Sequence, residues 1–92
     1  MKKIEVNNHE YELVKNNGDC FNLEEFKEKV TDYFDNYDYI FADYSYDKMR
    51  LKGYYDSKNK LVTPVNDISG LDEYIENYCA YGAKYFLLKK IK

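Results

Sequence analysis

Five short stretches of the chain have the length and composition of β-strands, and apolar and polar residues alternate in the first two. In order along the chain they cover residues 2–7, 10–15, 37–44, 48–55 and 83–92. Only Asn8 and His9 separate the first two stretches, which predicts an amino-terminal β-hairpin. The third and fourth stretches predict a second hairpin, and the fifth predicts a closing strand.

Between the two predicted hairpins, residues 22–36 repeat apolar side chains with the period of a helix. Asn22 is a suitable N-cap, and Glu25 stands three positions later, as a capping box requires. Phe21 and Phe26 occupy the two positions of a hydrophobic staple. The segment therefore predicts an amphipathic helix. Its apolar stripe consists of Phe26, Val30, Tyr33, Phe34 and Tyr37.

A second helical segment follows an irregular crossing that contains Pro64. Ser69 is its predicted N-cap, with Asp72 at the third helical position, and Gly82 is its predicted C-terminal residue in the left-handed conformation. Apolar side chains recur through the segment at helical spacing. They are Leu71, Tyr74, Ile75 and Tyr78.

The predicted element order is ββαββαβ, which defines an α+β fold. We expect an antiparallel sheet of about five strands with the two helices packed on one face. Without the first strand, this order is that of ferredoxin-like domains, although other antiparallel sheets with two helices fit equally well. Residues 1–92 contain no linker, repeat or low-complexity segment, so they predict one domain.

The register of the second hairpin decides which of its side chains reach the solvent. A three-residue loop over 45–47 places Tyr44 opposite Lys48 and lays the Tyr39 ring across Gly53. Of the two faces of this hairpin, the more apolar one is then expected to pack against the helices. The opposite surface would carry Ile40, Ala42, Tyr44, Arg50, Lys52 and Tyr54.

Composition places the chain among folded proteins, because 45% of its residues are hydrophobic and 34% are charged. No apolar run approaches the roughly 20 residues that a membrane span needs, and no signal-peptide core follows the start. The expected location is therefore the cytoplasm, with no membrane partner. The net charge is −3, yet the two helical segments hold most of the excess acid, so the rest of the chain is net positive.

The four candidate partner-binding residues are Tyr44, Arg50, Lys52 and Tyr54. Basic and aromatic side chains on one sheet face are typical of surfaces that stack bases and contact phosphates. Residues 52–54 (KGY) also match the first three positions of the RNP1 motif, but Asp56 stands where that motif requires an aromatic residue. Arg50 could instead pair with Asp38 or a neighbouring acid across the sheet.

These observations leave two kinds of partner open. The one that the basic and aromatic pattern favours is RNA or a ribonucleoprotein, bound through this sheet face. The other is a protein, bound through the acidic helices or the 37–55 hairpin, which would make the chain an adaptor or a regulatory protein. In either case we expect a binding module.

Catalytic and metal-binding patterns have little support in the chain. It holds two cysteines, Cys20 and Cys79, and a single histidine, His9, at spacings that suit neither a metal site nor a disulfide framework. It also lacks a glycine-rich phosphate loop and a nucleophile elbow. We therefore expect no enzymatic activity, no metal and no cofactor.

Three long portions of the chain resemble the YutD-like proteins, a family of small proteins of low-GC Gram-positive bacteria. They are residues 11–17 (YELVKNN), 21–56 (FNLEEFKEKVTDYFDNYDYIFADYSYDKMRLKGYYD) and 71–92 (LDEYIENYCAYGAKYFLLKKIK). The family usually has two glycines flanking an Asp-Trp pair near the second hairpin loop, where this chain has Ala42, Asp43, Tyr44 and Ser45. The resemblance implies a small cytoplasmic domain. Because the family has no established activity, the resemblance assigns no functional residue.

Overall fold

In the computed structural model, which describes residues 3–6, 8–45, 48–78 and 84–91, five strands and two α-helices follow the predicted order ββαββαβ. The strands are β1 (Lys3–Val6), β2 (His9–Asn17), β3 (Tyr39–Ser45), β4 (Lys48–Tyr54) and β5 (Tyr85–Ile91). The helices are α1 (Leu23–Lys29) and α2 (Leu71–Tyr78), with 3₁₀ turns at Asp32–Phe34 and Ile68–Gly70. The α+β class is confirmed.

The five strands form one sheet in the order β1-β2-β5-β3-β4, with the last strand of the chain between the two hairpins. The four pairings of these strands are antiparallel, which confirms the predicted antiparallel sheet. The ferredoxin-like alternative is wrong, because without β1 it would have the strand order β5-β2-β4-β3, whereas the observed order is β2-β5-β3-β4.

The two helices pack on opposite faces of the sheet, which corrects the prediction that both pack on one face. Phe26 of α1 lies in a core cluster with Ile40, whereas Leu71 of α2 lies in a second cluster with Phe41. Because consecutive residues of a strand point to opposite faces, the two clusters lie on opposite faces of β3. We call these the α1 face and the α2 face.

The reason for this arrangement lies in the two central strands. Residues 40–42 and 86–88 are buried without interruption, so β3 and β5 present apolar side chains on both faces. A strand covered on both faces has a continuous apolar run instead of alternation. The runs IFA and FLL in the sequence carry this signal, and each face needs its own covering helix.

The start of α1 is confirmed, and its predicted length is wrong. The Asn22 side chain accepts a hydrogen bond from the backbone N–H of Glu25 at 3.1 Å, and the Phe21 and Phe26 rings lie 6.2 Å apart. The helix ends at Lys29, since Val30 and Thr31 both have extended backbones. Adjacent β-branched residues lose side-chain freedom in a helix, which favours this early end.

The start of α2 differs from the prediction by a short 3₁₀ turn. Asp67, and not Ser69, provides the cap, because its carboxylate accepts the Ser69 backbone N–H at 2.9 Å before the turn Ile68–Gly70. Hydrogen bonds from Ser57 and from the Ser69 backbone hold the pKa of Asp67 below its usual value. The predicted end at Gly82 lies outside the described residues.

The predicted register of the second hairpin is wrong by one residue. Ser45 lies opposite Lys48, and Asp43 lies opposite Arg50, so the loop has two residues instead of three. The loop itself, residues 46–47, lies outside the described part of the chain. A shift of one residue turns the side chains of one strand to the other face relative to its partner.

The shifted register also changes which ring covers Gly53. This glycine lies opposite Ile40, and a Cβ added to it would come within 2.3 Å of Cγ of Tyr37. The Tyr37 ring, and not the predicted Tyr39 ring, therefore lies across the bare backbone. A residue with any side chain at position 53 would displace this ring.

Candidate partner-binding surface

The four residues predicted to form one contact surface lie on two faces of the sheet. Tyr44 packs on the α1 face, whereas Arg50, Lys52 and Tyr54 point to the α2 face. This division follows from the hairpin register, because Tyr44 is opposite Met49 and not opposite Lys48.

Tyr44 connects the hairpin to the region around α1. Its hydroxyl donates to Oε1 of Glu25 at 2.9 Å and lies 3.2 Å from the carbonyl oxygen of Cys20. Burial, followed by the hydrogen bond to the Glu25 carboxylate, raises the pKa of Tyr44 to about 12. The hydroxyl has a structural partner within the fold, and the ring is half-buried.

Arg50 forms a two-pronged ion pair with Asp43 on the neighbouring strand. Its Nε donates to Oδ1 at 3.0 Å, and its Nη2 donates to Oδ2 at 2.7 Å. Asp43 is only 5% exposed, whereas the Arg50 side chain is 57% exposed. The expectation that Arg50 pairs with an acid across the sheet therefore fits the structure, with Asp43 in place of Asp38. A buried carboxylate needs such a partner.

Lys52 and Tyr54 form a packed unit with α2. The ammonium of Lys52 lies 5.0 Å from the centroid of the Tyr54 ring and 4.5 Å from that of Tyr74. Both distances suit a cation–π contact. Tyr54 is 2% exposed, so its ring is part of the core beneath α2. No base could stack on this ring in the present conformation.

Cations occupy alternate positions of β4 on the α2 face. They are Lys48, Arg50 and Lys52, and we call them the basic edge because β4 is an outer strand of the sheet. Lys48 and Arg50 are exposed, and Lys52 is partly exposed. The alternation gives the outer strand one charged side, while the opposite side carries Met49, Leu51 and Gly53.

Along the outer edge of β4, mainly on its α1 face, lies a groove of about 300 Å³ that we call the aromatic groove. Its lining consists of Tyr33, Phe34, Tyr37, Leu51, Lys52, Gly53, Thr63, Val65 and Asn66. Two of these are large and exposed, Tyr33 at 67% and Val65 at 74%. The hydroxyls of Tyr33 and Tyr37 lie 3.0 Å apart, and this hydrogen bond is the main cause that raises the pKa of Tyr37 to about 12.

The aromatic groove is not evident from the sequence, because helical periodicity predicts Tyr33 on the buried stripe of a longer helix. The helix ends before that position, and the 3₁₀ turn Asp32–Phe34 instead exposes the ring. The β-branched pair Val30 and Thr31 was the available signal for this break.

A second groove, of about 390 Å³, lies at the start of β3 and is lined by acids and lysines. Its buried acid, Asp38, accepts hydrogen bonds from the Asp56 backbone at 2.8 Å and from the Asn59 side chain at 2.9 Å. Lys90 donates to the Asp35 carbonyl oxygen. These polar groups hold the chain segments beside β3, so their geometry is explained by the fold.

Two further findings concern the described residues as a whole. Within them, no group of three or more His, Cys, Asp or Glu side chains could hold a metal ion. None of their helices has the length and apolar character that crossing a membrane demands.

The fold and the candidate surface together define a small α+β domain with a helix on each face of a five-stranded antiparallel sheet, and with an outer strand that carries exposed cations beside an aromatic groove. A family model described as "Putative antitoxin YutD-like" matches residues 5–89, and the chain belongs to this YutD-like family, as the sequence resemblance predicted.

A curated relative and a solved structure, both of YutD from Bacillus subtilis, support the assignment. "Putative antitoxin YutD" of Bacillus subtilis (strain 168) is 47% identical over 89 residues, which cover 97% of this chain and 98% of the relative. The solution NMR structure of protein yutD from Bacillus subtilis is 46% identical, with a TM-score of 0.82, over 100% of this chain and 84% of that chain. The similarity extends over both hairpins and both helices.

Proposed function

We propose that this protein is a non-enzymatic binding module whose partner is a protein, which docks at the outer side of the 37–55 hairpin. The observation that carries the proposal is the aromatic groove, where Tyr33 and Val65 are largely exposed beside an outer strand. Exposed aromatic and aliphatic side chains around a groove are typical of protein-binding sites.

The name of the Bacillus subtilis relative, putative antitoxin, fits a regulatory role of this kind. A module that controls a toxin through direct binding would need a surface for that protein and no catalytic residues of its own. We therefore propose that the partner of this chain is a protein that it regulates by binding.

RNA or a ribonucleoprotein remains the alternative partner, and the basic edge is the observation that favours it. Lys48, Arg50 and Lys52 lie along one line and could contact phosphates. The structure offers less support for base stacking, because Tyr54 is 2% exposed and the Tyr44 hydroxyl is bonded to Glu25. Sheet-based RNA binders need open rings, so the protein partner is favoured.

The test compares two matched valine variants of the immobilised protein. Val65→Ser alters the aromatic groove, whereas Val14→Ser alters an exposed valine on β2, at the other side of the sheet. Bacillus subtilis protein extract, treated with ribonuclease, is passed over each variant, and the retained proteins are quantified by mass spectrometry. We expect a protein that the wild type and Val14→Ser retain and that Val65→Ser loses at least about tenfold.

Two results would overturn the proposal. One is retention that Val65→Ser leaves unchanged, which would remove the groove from the interface. The other is a response to nucleic acid alone: purified Bacillus subtilis RNA that shifts the backbone amides of residues 48–54 at low salt and releases them at high salt would establish the RNA alternative.

A further inference from the structure

The outer side of β4 is a sheet edge over most of its length. In the sheet order β4 is the last strand, and within the described residues no strand pairs with its outer side. Beyond its end, the backbone of Tyr55 bonds to Asn66 and Ile68 at 2.7 and 3.0 Å, and the chain at Thr63, Val65 and Asn66 forms the far wall of the aromatic groove. The open part, residues 48–52, is about 17 Å long, which is a common strand length.

The two sides of this edge differ in chemistry. On the α2 face the side chains along the open part are the cations of the basic edge, at every second position. On the α1 face they are Met49 and Leu51, next to the aromatic groove. A strand laid against β4 would place its own alternate side chains beside these two rows.

We propose that β4 binds an extended segment of the protein partner as an additional strand, and that acidic and apolar residues alternate along this segment. The inference rests on the proposed function and specifies its binding mode. The acidic side chains lie beside Lys48 and Lys52, with Arg50 contributing less because its guanidinium already binds Asp43. The apolar side chains lie over Leu51 and reach the aromatic groove, so main-chain hydrogen bonds supply affinity and the two rows supply specificity.

The same cations argue against a second copy of this chain as the occupant. If two β4 strands paired edge to edge in antiparallel orientation, residues directly opposite each other would share a face, and lysines would face lysines or arginine. Lysines on an outer strand are a common natural device against such self-association. The edge thus disfavours antiparallel pairing with its own copy and favours a strand of opposite charge.

The test uses three synthetic peptides with blocked ends and the full-length, isotope-labelled protein. The first peptide alternates glutamate and valine over eight residues, the second alternates lysine and valine, and the third has the composition of the first with the glutamates and valines in two blocks. We expect the first peptide to shift the backbone amides of residues 48–53 and to slow their hydrogen exchange. The second and third should bind at least about tenfold more weakly.

Matched charge variants locate the site. Lys48→Glu replaces an exposed lysine of the basic edge, and Lys58→Glu makes the same change at an exposed lysine of the loop after β4. Because opposite charges become like charges, Lys48→Glu should weaken the first peptide about tenfold, and Lys58→Glu should leave its binding within about twofold. Lys52→Gln is a second probe that keeps a polar chain over the Tyr54 and Tyr74 rings.

The inference is overturned if the alternating acidic peptide shifts no amide of residues 48–53, or if the block peptide binds equally well. In that case the proposed function still stands if Val65→Ser loses the retained protein, because the groove would then bind a partner that is not a strand. A single-stranded RNA that shifts these amides while no peptide does would overturn both.

Discussion

The two faces of the sheet differ in how far they are covered. On the α1 face, buried apolar side chains extend from β1 at one edge to β4 at the other; they include Ile4, Val6, Tyr11, Leu88, Phe86, Ile40, Ala42 and Met49. On the α2 face the buried cluster is limited to the strands around β3, and consists of Phe41, Tyr54, Leu71 and Leu87. There β1 and β2 present Lys3, Glu5 and Glu10 to solvent.

This difference gives the two faces different roles, one in stability and one in forming the charged surface. The α1 face supplies a core that crosses all five strands, so it holds the two hairpins together. The α2 face covers fewer strands and leaves charged residues on β4, where the basic edge and its ion pair with Asp43 lie. The outer strand β4 has one side on the fully covered face and one side on the partly covered face. The candidate surface lies along this strand.

The largest expected effect tests whether the α1 face dominates stability. Phe26 is 0% exposed and packs on Phe86 with ring centroids 6.0 Å apart, so Phe26→Ala should lower the free energy of unfolding by about 4 kcal/mol. Leu71→Ala on the α2 face should cost about 2–3 kcal/mol. Urea unfolding at 25 °C measures both, and an equal or larger loss at Leu71 would contradict the comparison. Phe26→Leu is a milder variant should Phe26→Ala not fold.

A smaller effect is expected from two glycines that meet different surroundings. Gly53 lies beneath the Tyr37 ring on the α1 face, so Gly53→Ala should cost about 2 kcal/mol. A Cβ on Gly70, just before α2, would meet no atom within 4 Å, so Gly70→Ala should change stability by less than about 0.5 kcal/mol. Urea unfolding again gives both values.

The glycine prediction has its own internal control. If the cost of Gly53→Ala comes from the ring, the double variant with Tyr37→Ala should lose less stability than the sum of the two single changes. Strictly additive losses would show that the ring is not the cause.

Local patterns in the sequence predicted the elements of this fold but not their mutual placement. The Asn22 cap and the hairpin at Asn8 depend on neighbours in the chain, and Asn8 indeed has a positive φ of 66°. The register of the second hairpin was not determined by alternation, because Ile40, Phe41 and Ala42 are apolar in succession and suit either face. For the same reason alternation could not assign one helix to each face.

This ambiguity of register had its largest effect on the predicted partner-binding surface. One residue of register decides whether Tyr44 shares a surface with Arg50, and it also decides that Asp43 becomes the partner of Arg50. Alternation within β4 was predicted correctly, so the basic edge was visible in the sequence. The aromatic groove beside the basic edge was not visible in the sequence, because Tyr33 lines that groove only where α1 ends early.

A further expected effect is a loss of stability at high pH that originates on the α1 face. Burial and the bond to Glu25 raise the pKa of Tyr44 from 10.0 to about 12, so folding favours the neutral phenol. Its contribution to stability is complete below pH 10 and is lost as the pH rises towards 12. Urea unfolding from pH 8 to 12 should therefore decline less steeply for Tyr44→Phe than for the wild type. Because burial is the larger cause, Glu25→Gln should remove only part of the decline; identical slopes for Tyr44→Phe and the wild type would show that this hydroxyl does not couple the hairpin to α1.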